Sequence, residues 1–499
     1  MTERDIELIL AQNIQLSLRI DLLDTDYITI GELQGYAISL SPSISSTSDV
    51  RRIMSLKMKL PDAEDLPAFI DNLWLDRLIR PYLGIDDDSG TPTMYLLGTY
   101  LLSDNRFSYN ATTQEVDMSL VDMMAASTES RGSQIGGAGI IIPAETNARL
   151  ALIATVAAFS PFKVYSVVEL PDTIPYDLEF EPDVYPYQIL KTIMDFFPLY
   201  QMYYSTTGVF TVDEIPDGIG DDPVLDETVT DVILVSESRA NSYRDVKNTT
   251  EIFGATLDAG YTATECNTVG TSYVLTISTA FETLEGNSTY SFTPDTTSVS
   301  GQTITIQTLD PHPIYTRYIG GGEAAISAGE MLEDVPYVVK YLDSKFYLQG
   351  ESDIHIIVQE VTEEPSPEDI AQYKENNNCR NVVYVVNADS RFAADVIGDV
   401  RQVLKDGEYA DIYTTNLAIE RGIYENYIKA RLTDSVDLVF CKPLPMLDVN
   451  QKISYTSPTL GEVNTVIVKE IQMEDFSNPA PTTSVSAIQY YPASPWGDL

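Results

Sequence analysis

Histidine and positive charge are what this 499-residue chain has least of. It holds two His, and 30 Lys and Arg against 75 Asp and Glu, for a formal net charge of −45. Nucleic-acid binding needs cations that neutralise phosphates, so a chain this acidic is excluded from that role as a whole. His is the commonest general acid–base residue and metal ligand, and two of them leave little room for either chemistry. The three cysteines, Cys266, Cys379 and Cys441, are odd in number and too widely spaced for a C-x-x-C metal knuckle. They read as free, partly buried thiols in a reducing compartment. No apolar run approaches ~18 residues, which excludes a membrane-spanning helix. Met1-Thr2-Glu3-Arg4-Asp5 lacks the basic-then-apolar pattern of an export signal. The chain is therefore expected to be made in the cytoplasm and to stay soluble, with chance sequons at Asn110, Asn248 and Asn287.

What is present is ordinary apolar content and an excess of tyrosine. Hydrophobic residues make up 44%, so the charge does not signal disorder. At this length three or four domains are expected. Tyr numbers 31 against 15 Phe and 2 Trp. Tyr suits strands and subunit interfaces alike, and strand propensity suffices to explain any one of them.

Periodicity divides the chain. Ile14, Leu16, Leu18, Ile20 and Leu22 alternate with Gln15, Ser17, Arg19 and Asp21, and Met54–Leu60 repeats the pattern. This is the period-two signature of half-buried antiparallel strands. With strands at Tyr95–Ser103 and Glu115–Val121, residues 1–125 read as a β-barrel or sandwich, interrupted by a short helix at Pro67–Leu73. Residues 129–142 are Gly- and Ser-rich and read as a loop. Thr146 or Asn147 caps a helix to Phe159 with Leu150, Ile153, Ala154 and Ala157 on one face. Pro186 opens a second helix, which Pro198 stops, and a hairpin turns at Thr207-Gly208. Residues 126–212 are thus an α+β domain.

Eight acids between 213 and 231 predict a solvated connector, followed by strands at Val232–Val235 and Thr250–Ala255. Residues 256 to about 310 are Thr/Ser-rich with short strands. Beyond them lie a strand at Ile354–Gln359, a helix start at Ser366-Pro367 and a strand at Val382–Val386. Phe392, Val396, Val400 and Val403 fall on one helical face. Thr415 opens a last helix, with Glu425 placed to pair with Lys429. Strands return at Ser435–Cys441, Lys452–Tyr455, Val463–Ile471 and Ser484–Tyr490, before an irregular tail at Pro492–Trp496. The fold class is mainly β with α+β insertions.

No motif carries chemistry. Gly136-Gly137-Ala138-Gly139 lacks the G-K-[ST] ending of a phosphate loop, and Gly320-Gly321-Gly322-Glu323 lacks a lysine partner. His312, in a Pro-bounded turn, and His355, in a strand, have no metal-spaced partners, so structural roles are favoured. Cys379 precedes a strand, not the helix that a Cys–His hydrolase needs. With 75 acids, carboxylate pairs at glycosidase spacing arise by chance. Asp86-Asp87-Asp88 and Asp221-Asp222 lack the distal Glu of a calcium loop. No catalytic, cofactor-binding or metal residue is assigned.

Several stretches, taken in order, resemble the hub proteins of phage tail baseplates and tail tips. They are Leu75–Ile85 with its Arg80-Pro81-Tyr82, Tyr95–Leu102 with Leu97-Gly98-Thr99, and Glu115–Asp122. Pro186–Phe197 with Tyr203–Val212, Asp245-Val246-Lys247-Asn248, and Glu420–Arg431 followed by Pro445–Ile453 complete the set. Residues 256–410 match nothing in that family, and no lysozyme or peptidase segment is appended. The resemblance implies a structural, non-enzymatic virion protein with two tube-like β-barrel domains. These would be residues 1–125 and the split pair 213–255 and 432–492, with 256–431 inserted and 493–499 a tail. It implies a homotrimer forming a pseudo-sixfold ring between a hexameric tail tube and a threefold tip. Partners would be tube or distal-tail rings, spike or fibre proteins and the tape-measure protein. Three copies would carry three times −45, or −135, and an acidic lumen would let DNA pass without sticking. Solubility alone would also explain the acids. The rival reading is a tail-associated glycan-degrading enzyme or host-surface-binding protein with its Tyr-rich insertion as a sugar platform. An unrelated secreted acidic β protein is a third, which the missing export signal disfavours.

Overall fold

The computed structural model describes residues 1–489 except 34–35, 61–65, 67–76, 87–89, 138, 144–145, 172, 175–176, 217–221, 258, 282, 318–322, 387–389, 411 and 479. The expected helix at Pro67–Leu73 and the tail at Pro492–Trp496 lie outside the described residues.

Helix α1 (Glu3–Leu10) starts at a Thr2–Asp5 capping box. Eight strands follow: β1 (Gln15–Leu23), β2 (Thr29–Glu32), β3 (Tyr36–Ser45), β4 (Arg52–Lys59), β5 (Leu78–Asp86), β6 (Thr93–Leu96), β7 (Tyr100–Asn110) and β8 (Glu115–Asp122). The next section holds β9 (Ile140–Ile142), α2 (Ala148–Phe159), β10 (Tyr165–Val167), β11 (Leu178–Phe180), α3 (Pro186–Met194), β12 (Tyr200–Tyr204) and β13 (Phe210–Glu214). Helix α4 (Glu227–Ile233), β14 (Leu234–Ala240) and β15 (Thr249–Phe253) lead into an inserted region. That region contains β16 (Tyr261–Val269), β17 (Ser272–Ile277), β18 (Thr289–Phe292), β19 (Thr303–Ile306), β20 (His312–Arg317), β21 (Glu323–Ala325), β22 (Tyr337–Leu342) and β23 (Lys345–Glu351). Then come β24 (His355–Val361), α5 (Pro367–Asn377), β25 (Asn381–Val386), α6 (Ala394–Ile397), β26 (Arg401–Leu404) and α7 (Thr415–Lys429). The chain closes with β27 (Ser435–Phe440), β28 (Lys452–Thr456), β29 (Val463–Met473) and β30 (Thr483–Gln489). The architecture is mainly β with helices confined to the connecting regions. Among the described residues no helix is long and apolar enough to cross a membrane.

Thirteen strands from the two ends of the chain form one sheet in the order β14-β27-β30-β29-β3-β4-β8-β7-β5-β1-β2, with β28 on β29 and β6 on β5. Every pairing along this path is antiparallel. The alternation read from sequence holds: Met54, Leu56 and Met58 point inward from β4, with Ser55 and Lys59 exposed. The inward residues of both ends of the chain, from Leu8 to Ala487, belong to a single apolar core.

Strand β15, expected within the split second barrel, pairs instead in a four-stranded sheet, β25-β24-β15-β26. Seven inserted strands close a barrel, β19-β17-β16-β18-β22-β23-β20, through the β19–β20 pairing. The expected helix across Phe392–Val403 is only the single turn of α6. Gly398 takes φ +82°, and the Asn248 side chain holds both flanks. Its Nδ2 donates to the carbonyls of Phe392 (2.7 Å) and Gly398 (2.8 Å), while its Oδ1 accepts from the N–H of Val400 (2.8 Å). Residues 401–404 are thereby laid parallel to β15.

Three further expectations are corrected. The loop read at 129–142 ends in β9, which pairs with β11. The acidic connector contains α4, capped by Asp226, because Val229 and Ile233 reach the core. Helix α2 packs through Ala148, Ala151, Leu152, Thr155 and Val156, not through Leu150, Ala154 and Ala157, which are exposed. All its residues but Arg149 and Thr155 are apolar, so periodicity could not choose a face.

Candidate functional face of the fused sheet

The thirteen-stranded sheet is built twice from one plan. Strands β3-β4-β8-β7-β5 and β14-β27-β30-β29-β28 occur in the same spatial order and the same chain order. Inward pairs correspond: Met54–Leu120, Leu56–Met118 and Met58–Val116 in the first unit match Val436–Ala487, Leu438–Val485 and Phe440–Thr483 in the second. The units join edge to edge where Glu470, Ile471 and Gln472 of β29 face Ser45, Ile44 and Ser43 of β3.

Because strand side chains alternate, burying one face presents the other to solvent across both units. That face is dominated by serine. Ser41, Ser43 and Ser45 on β3, Ser55 on β4 and Ser119 on β8 share it with Ser236 and Ser238 on β14. Ser435 on β27 and Ser484 and Ser486 on β30 continue it. Charge is sparse there: Lys57 and Lys59 face Asp117 and Glu115 in the first unit, and Asp437 and Glu470 lie among the serines of the second unit and the junction. Lys57 Nζ is 3.3 Å from Asp117 and 3.9 Å from Glu115, so its charge is already matched by carboxylates. Ser486 Oγ donates to Asp437 at 2.6 Å. The face is hydroxyl-rich and mildly acidic. Sequence reading did not single it out, although the period-two serines Ser39-x-Ser41-x-Ser43-x-Ser45 and Ser484-x-Ser486 carried the signal.

Beneath the junction lies a buried polar cluster. The Arg52 side chain is 1% exposed and pairs with Asp448 of the second unit. Its Nη1 donates to the Tyr204 carbonyl at 2.8 Å, tying in the α+β section. The Arg52 N–H donates to Asp122 Oδ2 at 2.8 Å, and the Met124 N–H to Asp122 Oδ1 at 2.9 Å. Burial pushes the Asp122 carboxyl up, against those two N–H donors and the Arg52 charge. Arg51 Nη2 donates to Gln201 at 2.6 Å and its guanidinium lies 3.9 Å over the Tyr203 ring. Burial pushes Arg51 down, and its charge together with burial does the same to Lys469.

A second clamp explains Arg80 and Thr99, which the resemblance singled out. Gly208, at φ +83°, turns the β12–β13 hairpin so that it fits against Tyr27, Thr99 and Met123. Arg80 Nη2 donates to the Thr207 carbonyl at 2.6 Å and Nε to Thr99 Oγ1 at 2.9 Å. Thr99 Oγ1 donates to the Thr206 carbonyl and Tyr27 OH to the Gly208 carbonyl.

The residues weighed for chemistry are scattered. His355 Nε2 is 2.7 Å from Glu251, itself paired with Arg401, and its ring stacks on Phe253. His312 bonds the Ser344 carbonyl and packs edge-on against Tyr341 and Phe346. Burial pushes Cys266 up to about 11 and raises Cys379, the opposite of an activated thiolate. Gly136 and Gly137 are exposed loop residues, whereas Ala138, Gly320–Gly322, Asp87, Asp88 and Asp221 lie outside the described residues. Among the described residues no group of three or more His, Cys, Asp or Glu could hold a metal ion. Asn248 is buried, so its sequon is closed to a glycan. Tyr273, Tyr290 and Tyr337 of the inserted barrel are core residues, not a displayed platform. A cleft of about 1040 Å³ opens between the edge of α3, the inserted barrel and the start of α7. Its Arg380 is already paired with Glu351.

Residues 389–494 match a family model described only as a domain of unknown function, DUF5048. No curated protein matches the chain. Structural neighbours include phage tail proteins and VgrG-type components of type VI secretion. A tail protein from Neisseria meningitidis MC58 is 8% identical, covering 95% of this chain and 98% of its own, at TM-score 0.45. The 43 kDa tail protein of prophage MuSo2 from Shewanella oneidensis is 11% identical, covering 94% and 98%, at 0.43. A prophage tail protein from Listeria monocytogenes is 9% identical, covering 94% of each chain, at 0.38.

Proposed function

We propose that this chain is a structural, non-enzymatic hub of a phage tail tip or baseplate. Three copies set their paired β units around an opening through which DNA passes. The observation that carries the reading is the doubled five-strand unit joined edge to edge. One chain then supplies two similar segments of a ring, and three chains supply six. In domain terms the first unit falls in 1–125 and the second in 213–255 and 432–492, with 256–431 as the insertion.

The serine-rich face supplies the surface such an opening needs. Hydroxyls hydrate the wall without attracting phosphate, and a small excess of carboxylates repels it. The matched Lys57 leaves little counterion-release gain to hold a strand of DNA there. Tube or distal-tail rings would stack on one rim, and spike or fibre proteins on the other, with the tape-measure protein as a further partner. Native mass spectrometry of the purified chain tests the reading. A threefold mass supports it, and a stable monomer at tens of micromolar contradicts it.

A further inference from the structure

The internal junction has an unfilled counterpart. By register, Leu56 of β4 lies between Leu40 of β3 and Met118 of β8, and Met118 faces Phe107 of β7. In the second unit Leu438 lies between Glu237 of β14 and Val485 of β30, and Val485 faces Ile471 of β29. Phe107 therefore occupies the place of Ile471, and Asn241, four residues beyond Glu237, the place of Ile44. Within the chain Ile471 meets Ile44. Among the described pairings, β7 has no neighbour beside Ser108–Asn110 other than β8, and β14 has none other than β27. Val235, the second residue of β14, is 61% exposed. An open sheet edge leaves backbone N–H and C=O groups free to pair with another strand.

We infer that the β14 edge of one copy pairs antiparallel with the β7 edge of the next, reproducing between subunits the β3–β29 junction found within one. In this seam Ser108 faces Ala240 of the neighbouring copy, as Gln472 faces Ser43 inside the chain. The contact is heterologous, so each copy offers one edge of each kind. The direction is consistent: β7 and β14 are seven antiparallel steps apart on the path, an odd number, so they run oppositely in a ring that preserves orientation. The inference rests on the ring reading and adds its strand-level seam.

Cysteine crosslinking of the full chain tests it. In a Cys441→Ser background, Ser108→Cys with Ala240→Cys should give disulfide-linked dimers and trimers on mild oxidation. Mixing the two single variants should give dimers only. Ser43→Cys with Gln472→Cys, across the internal junction, should link within one chain and verifies that the geometry permits the bond. A threefold particle in which the control links and the Ser108–Ala240 pair does not overturns the seam while leaving the ring. A chain at monomer mass with no intermolecular link overturns both.

Discussion

Replacing Arg52 by Met removes the guanidinium that joins three parts of the molecule while keeping most of its volume. Taking one partner from a buried ion pair costs about 3–5 kcal/mol, because the other charge is left desolvated. Here Asp448 is 33% exposed, so water can rehydrate it and the lower end applies. The Tyr204 carbonyl also loses its donor, which costs about 1–3 kcal/mol. The change relieves one defect, since Arg52 Nε is buried without a hydrogen-bond partner. The net expectation is a loss of about 3 kcal/mol. For a cooperative unit of some 200 residues that lowers Tm by roughly 6–12 °C in calorimetry. A double-mutant cycle with Asp448→Ala should show a coupling of about 1–3 kcal/mol. A shift below about 2 °C with no coupling would refute the idea that this cluster fastens the two units together.

Asn248→Ala strands one N–H and two carbonyls around the Gly398 turn, and should lower stability by about 3–5 kcal/mol, read as lost hydrogen-exchange protection in residues 392–404. Ser43→Lys with Ser486→Lys should make the assembled particle bind DNA, with a salt slope that steepens by about one per added phosphate contact in a filter assay, whereas the parent should not bind. Glu237 provides an acid-sensitive contact. Burial acts to raise its carboxyl, but donors from Tyr455, Ser457 and Thr459 bring it below the ordinary glutamate value. The folded form therefore binds fewer protons than the unfolded one. The stabilisation is present above about pH 4.3 and is lost as pH falls through the depressed folded value. Glu237→Gln should flatten stability against pH below that point, and an unchanged acid limb would contradict the assignment.

The sequence made β1, β4, β8 and β27 to β30 of the two terminal units legible because each buries one face and so alternates cleanly, but it left β3 unread, and the strand expected at Val232–Val235 begins inside α4. It also narrowed the α2 cap to Thr146 or Asn147, of which Asn147 serves, and placed the Ser366-Pro367 helix start and the Gly208 turn, where local chemistry dictates the conformation. It could not reveal that the two units share one sheet, since the β29–β3 pairing joins residues more than 400 positions apart. The closed inserted barrel was equally hidden, because its strands are short and its closure depends on β19 meeting β20. Helical spacing at Phe392–Val403 misled because the tertiary bonds of Asn248 outweigh local propensity. The acids drew the eye through their number, yet the face common to both units is written mostly in serine.

The account stands most directly on an image of the purified particle at a resolution that separates strands. It predicts a threefold ring with six similar β segments around an opening, its wall formed by Ser43, Ser55, Ser119, Ser238, Ser435 and Ser486. A particle without a central opening, or one whose opening is lined by another face, would contradict it.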